Sequence, residues 1–97
     1  MKENYSLGQV VRSKAGRDKG RFMIVVGFEG DEFVLLSDGT LRRADKPKKK
    51  KFKHIAKTNT VCLSVAEKLA EGRAANALIK NALKDFNNPE ETEGEDF

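Results

Sequence analysis

Residues 15–39, "AGRDKGRFMIVVGFEGDEFVLLSDG", decide how this chain folds. Two apolar runs, "FMIVV" and "FVLL", are rich in β-branched and aromatic residues, and each is bounded by glycines and acids. That is the pattern of strands separated by turns. The first run is solidly apolar, which predicts a central strand buried on both faces. Glu29-Gly30-Asp31-Glu32 turns the chain into the second. The turn before the first run is unusual: Gly16 and Gly20 bracket Arg17, Asp18 and Lys19, and Arg21 follows. Glycines at both ends allow a tight backbone that projects the side chains between them outward, and its N–H groups can face an anion.

Working outward, "GQVVRS" gives a strand before the turn. Asp38-Gly39 is a hairpin signal leading to "TLRRA", and "FKHIAK" alternates as a short closing strand, with Phe52 and His54 on one side. Five strands with no helix between them predict a mainly β fold, a small antiparallel barrel over residues 1–58. Past Asn59 the period changes. Ser64-Val65-Ala66-Glu67 has the form of a capping box, which predicts a helix from Val65 to Glu71 stopped by Gly72. A second helix from about Ala74 places Ala75, Leu78, Ile79, Ala82, Leu83 and Phe86 on one face, and Asn87-Asn88-Pro89 ends it. One or two helices over 59–88 would pack on the barrel and complete its core. Residues 89–97 read as a disordered acidic tail, with five acids in "EETEGEDF".

Charge is divided unevenly. Residues 1–60 carry 15 Lys and Arg against 7 Asp and Glu, whereas residues 61–97 carry 4 against 8. A basic half fits a polyanion partner. From Arg42 to Lys57, nine cations (Arg42, Arg43, Lys46, Lys48, Lys49, Lys50, Lys51, Lys53 and Lys57) face Asp45 alone. Pro47 argues against helix or central strand, so the lysine run is expected as an extended surface loop. Arg12, Lys14, Gly16, Arg17, Lys19, Gly20 and Arg21 form a first candidate contact patch; Arg42, Arg43, Lys46, Lys48, Lys49, Lys50, Lys51 and Lys53 form the second. Solvated charge is the plainer reading of both, yet packed lysines repel unless something neutralises them.

Residues 8–27 resemble a KOW motif, and the chain from Gly8 to about Thr58 is similar to the family of large-subunit ribosomal protein fourteen of eukaryotes and archaea. The similarity rests on "GQVVRSKAGRDKGRFMIVV", "FVLLSDG", "LRR" and "FKHI", in that order and spacing. The chain as a whole resembles the small bacterial KOW-domain RNA-binding proteins. The resemblance implies an SH3-like barrel that binds RNA, with ribosomal RNA of the large subunit as partner. It departs from the family where "ADKPKKKK" is inserted, and nothing carries over beyond Val61. A protein-interaction module of the transcription or translation machinery is the alternative, with the helical face Ala75–Phe86 docking on a partner.

No catalytic constellation is visible. His54 is the single histidine, and Cys62 sits between Val61 and Leu63 as a small hydrophobe. Gly16 and Gly20 lack the Gly-Lys-Ser/Thr ending of a P-loop. One cysteine forms no intramolecular disulfide. The expectation is a cytoplasmic, non-enzymatic protein without cofactor, metal or membrane association. Phe22, Phe28, Phe33 and Phe52 are expected in the core, with Tyr5 left open, which favours backbone recognition of structured RNA over reading of bases.

Overall fold

The computed structural model describes residues 4–87. Strands β1 (Gln9–Ser13), β2 (Phe22–Glu29), β3 (Phe33–Ser37), β4 (Lys48–Lys51) and β5 (Ile55–Val61) precede helices α1 (Leu63–Ala70) and α2 (Asn76–Asn87). The strands form one antiparallel sheet in the order β4-β3-β2-β1-β5. The acidic tail and the Asn88-Pro89 stop signal lie outside the described residues.

The central strand does bury both of its faces. Met23 and Val25 join Val11, Val34, Leu36, Phe52 and Ile55 on one side of the sheet. Ile24 points the other way and packs with Val10, Val65, Ile79 and Leu83, so α1 and α2 cover that side. Ala75, Leu78, Ala82 and Phe86 pack against this second cluster, so the whole predicted helical face is used. A run with no polar position is what a strand between two apolar layers requires.

The connection from β4 to β5 dictates the sheet's shape. These strands are the two edges, which in a flat five-stranded sheet stand roughly 19 Å apart. Phe52–His54, a single 3₁₀ turn, joins them, and the four steps from Lys51 to Ile55 in that form span only about 8 Å. The sheet is therefore strongly curled, with Phe52 buried in the concavity, although no ladder of hydrogen bonds joins the edges to close a barrel.

Four local expectations are corrected. The fourth strand is the lysine run itself, not "TLRRA", which lies in a loop between Ser37 and Lys48; a proline just before the first residue of an edge strand costs no ladder bond. "FKH" coils rather than extends, because β4 must reach the opposite edge within three residues. Helix α1 starts at Leu63 with Cys62 as N-cap, and no side chain caps it, so Ser64 lies inside the first turn. Helix α2 begins at Asn76, after Ala75 adopts a positive φ of 57°. Gly72, with φ 80°, stands where the first helix was expected to stop.

Candidate nucleic-acid interface

The charged turn is closed by its own backbone. Ser13 N–H donates to the Arg21 carbonyl, Gly20 N–H to Ser13, Lys19 N–H to Gly16 and Arg21 N–H to Asp18. Gly16 has φ 85°. A Cβ there would meet only ordinary contacts at 3.5 Å and beyond, so the backbone conformation, not lack of space, calls for glycine.

Beneath this turn lies a feature that the sequence reading missed. In β4 the side chains alternate, and Lys50, paired in register with Val34, points inward with only 8% exposure. Its ammonium donates to the Ser13 hydroxyl, the Ala15 carbonyl and Asp18 Oδ1, each at 2.6 Å. An ammonium has three donors and no acceptor, so Lys50 is saturated. Lys48 Nζ lies 3.2 Å from Asp18 Oδ2, and the Ser13 hydroxyl lies 2.9 Å from Oδ1. Burial pushes the Asp18 carboxyl up, but the hydrogen bonds from Lys50, Ser13 and Lys48 outweigh it and hold it at about 2. Lys50, expected as a phosphate contact, is instead the internal clamp of the turn.

The two basic segments thus form one unit. Arg17 and Arg21 from the turn, Lys48 from β4, and Leu41 and Arg42 from the loop after β3 line a cleft of about 420 Å³ whose floor is Met23. Asp18 and Asp38 complete its wall. Beside it, Lys48 to Lys51 run past Ala15, Gly16, Phe33 and His54. Phe33 belongs to neither core cluster; the Lys49 ammonium lies over its ring at 4.5 Å and that of Lys51 at 5.9 Å. Tyr5 packs on Phe52 with ring centroids 5.1 Å apart, so it is part of the concave core's rim.

The loop between Ser37 and Lys48 is pinned from two sides. Asp38 Oδ1 accepts the N–H groups of Thr40 and Arg42, and the Ser37 hydroxyl donates to the Arg42 carbonyl. From α2, Asn76 Oδ1 accepts the Ala44 N–H at 2.7 Å. Gly39 presses against the first turn of α2, where a Cβ would stand 2.5 Å from the Asn76 carbonyl and 2.8 Å from the Lys80 nitrogen. At its other end, Asn87 exchanges two hydrogen bonds with the backbone of Phe22, the residue after Arg21. Helix α2 therefore braces both basic segments.

Not every candidate joins this face. Arg12 sits on β1 between Phe22 and Ala56, on the sheet side that the helices cover, and lines neither cleft. Arg43 pairs with Asp45 at 3.3 Å, Lys49 pairs with Glu29, and Arg21 faces Asp38 at 4.0 Å. Lys53 lines a smaller hollow with Asp31 and Glu32. Among the described residues, Lys14, Arg17, Lys19, Arg42, Lys46 and Lys51 make no ion pair and are exposed. Lysines on an edge strand also block edge-to-edge pairing, so Lys49 and Lys51 have a structural use besides any contact.

Cys62 is partly buried, and burial pushes its thiol up, away from the reactive thiolate. Among the described residues no three His, Cys, Asp or Glu side chains converge, and no helix is long and apolar enough to cross a membrane. Compared with known proteins, the chain matches no family model and no curated protein.

Proposed function

We propose that this chain is an RNA-binding protein that docks on structured RNA, with the large-subunit ribosomal RNA as its partner and the cytoplasm as its location. The glycine-bounded turn and the lysine strand are its contact surface, on a sheet of SH3-like, KOW type. It holds RNA by phosphate contacts and needs no cofactor or catalytic group.

One observation carries this reading. Of the two acids within the basic face, Asp18 is held by Lys50 and Lys48, and Asp38 gives one oxygen to the backbone of its own loop and turns the other toward Arg21. Arg17, Lys19, Arg42 and Lys51 around them are exposed and make no ion pair among the described residues. A fold that clamps its turn with one lysine and still holds several outward cations close together carries self-repulsion that a polyanion relieves. Lysines suit phosphates as point charges, and Arg17 and Arg42 add forked donors. The helical face offered for a protein partner is occupied by the sheet, which leaves the protein-interaction reading without that surface.

The experiment is a salt titration of RNA affinity together with ribosome co-sedimentation. If about six phosphates are neutralised, log K falls against log salt with a slope of about −4 on single strands and about −5 on duplex. Arg17→Ala with Lys19→Ala lowers affinity and leaves melting unchanged. A flat salt dependence, or a double variant that binds and sediments like the parent, sinks the proposal.

A further inference from the structure

The cleft between the charged turn and the loop after β3 is built differently from the lysine strand beside it. Its rim carries Arg17, Arg21, Arg42 and Lys48, but its floor is Met23 and its lip is Leu41. Leu41 is 82% exposed, while the turn that carries it is held by three hydrogen bonds: Thr40 and Arg42 N–H to Asp38, and the Ser37 hydroxyl to the Arg42 carbonyl. A pinned turn cannot fold its leucine back onto the body. It holds an apolar side chain out over a cationic rim.

Duplex phosphates lie on a broad convex surface and would leave an apolar-floored cleft unfilled. An unpaired nucleotide would fill it: about 420 Å³ is within the size range of small-ligand sites. Guanidinium groups both bind phosphate and stack on a base plane, and a base offers an apolar face to Leu41 and Met23. The wall supplies an acceptor as well. Asp38 Oδ1 is taken by its own loop, whereas Oδ2 faces Arg21 at 4.0 Å, beyond hydrogen-bond reach. A base N–H can donate to that oxygen; an acidic peptide side chain, with no donor when ionised, cannot.

We infer that this cleft is a subsite for a single unpaired nucleotide, its phosphate at Arg17 and Arg42 and its base between Leu41 and the cleft floor. This rests on the RNA-binding reading and adds to it a preference for a bulge or loop in an otherwise paired RNA.

The test uses the full chain and two RNA hairpins of equal charge, one with a fully paired stem and one with a single-purine bulge, compared by fluorescence anisotropy. The parent should bind the bulged stem about tenfold more tightly, and Leu41→Ser should abolish that difference while binding the paired stem like the parent. Leu41 is too exposed for the variant to disturb the core, and its melting temperature checks that. In methyl NMR, the Leu41 and Met23 signals should move with the bulged stem and stay in place with the paired stem or an acidic peptide. Equal affinity of the parent for both stems overturns the subsite alone. So does equal loss on both stems in Leu41→Ser, or an acidic peptide that moves the same methyls. Failure to bind either stem overturns the RNA reading with it.

Discussion

The charged turn before β2 and the basic loop after β3 stand side by side, and each is held by a residue from elsewhere in the chain. The turn is clamped by a charge, the Lys50 ammonium reaching from β4 to Asp18, Ser13 and Ala15. The loop is clamped without one: the Asn76 side-chain amide takes the Ala44 N–H, and Gly39 packs on the α2 backbone. A charged clamp that is nearly buried is sensitive to the loss of either partner, because the survivor is left desolvated and unpaired. A clamp made by close backbone contact is sensitive instead to added atoms. The two neighbouring segments should therefore fail in different ways.

The largest effect is expected at the loop. Gly39→Val puts a side chain into the Asn76 carbonyl at a positive φ, so the loop must part from α2, at a cost of about 3 kcal/mol or more. Gly16→Ala, in the turn, has room and meets only the backbone penalty, about 1 kcal/mol. Urea melts of the two variants compare them directly. Equal losses would show that space does not distinguish the two glycines.

Next comes the clamp itself. Lys50→Met leaves Asp18 partnered only by Lys48 and Ser13, and should lower stability by about 2–3 kcal/mol. Lys50→Met combined with Asp18→Leu should recover part of that loss, since no carboxylate is left without its clamp and Lys48, which loses its partner, is open enough to water to stay hydrated. If the double variant is no better than the single, the pair is not what holds the turn.

Acid should loosen the turn and spare the loop's amide. The folded Asp18 carboxyl, at about 2, lies below its unfolded value near 4, so its contribution is complete above about pH 5 and fades as pH falls toward 2. Its carboxylate keeps some contact with water, so about 1 kcal/mol is the expected size after screening. Thermal melts between pH 7 and pH 2.5 should show this slope in the parent and a shallower one in Asp18→Asn. Asn76→Ala should lose most of its contribution at every pH, because the amide bond to Ala44 carries no titrating group; only its longer bond to the exposed Asp45 carboxylate, at 3.4 Å, fades in acid. Parallel curves for the parent and Asp18→Asn would refute the assignment.

The smallest expected change in stability separates Lys50 from its neighbours. Lys51→Ser, at an exposed position with no ion pair among the described residues, should alter melting by about 0.5 kcal/mol or less while lowering RNA affinity. A loss comparable to that of Lys50→Met would mean that the alternation in β4 is not as described.

Much of the scaffold was legible in the residues alone. "FMIVV" required a strand between two apolar layers, and the face from Ala75 to Phe86 required a helix lying on something apolar. The glycines at 16 and 20 marked a tight turn and do take positive φ. Other features were misread because local signals were weaker than long-range needs. Ser64 and Glu67 have the spacing of a capping box, but the Cys62 carbonyl, on a residue fixed by its own N–H bond to Gly8, already accepts the Ala66 N–H, so the helix starts earlier. Asp38-Gly39 makes a turn, yet Gly39 faces α2 rather than a strand partner.

The lysine run marks the limit. A strand reveals which side faces inward by alternation between apolar and polar residues, and four identical lysines contain no alternation. Composition by itself fixed that this segment is basic. Only the pairing of β4 with β3, which sets Lys50 opposite Val34 and above Asp18, decided which lysine became structure and which stayed on the surface.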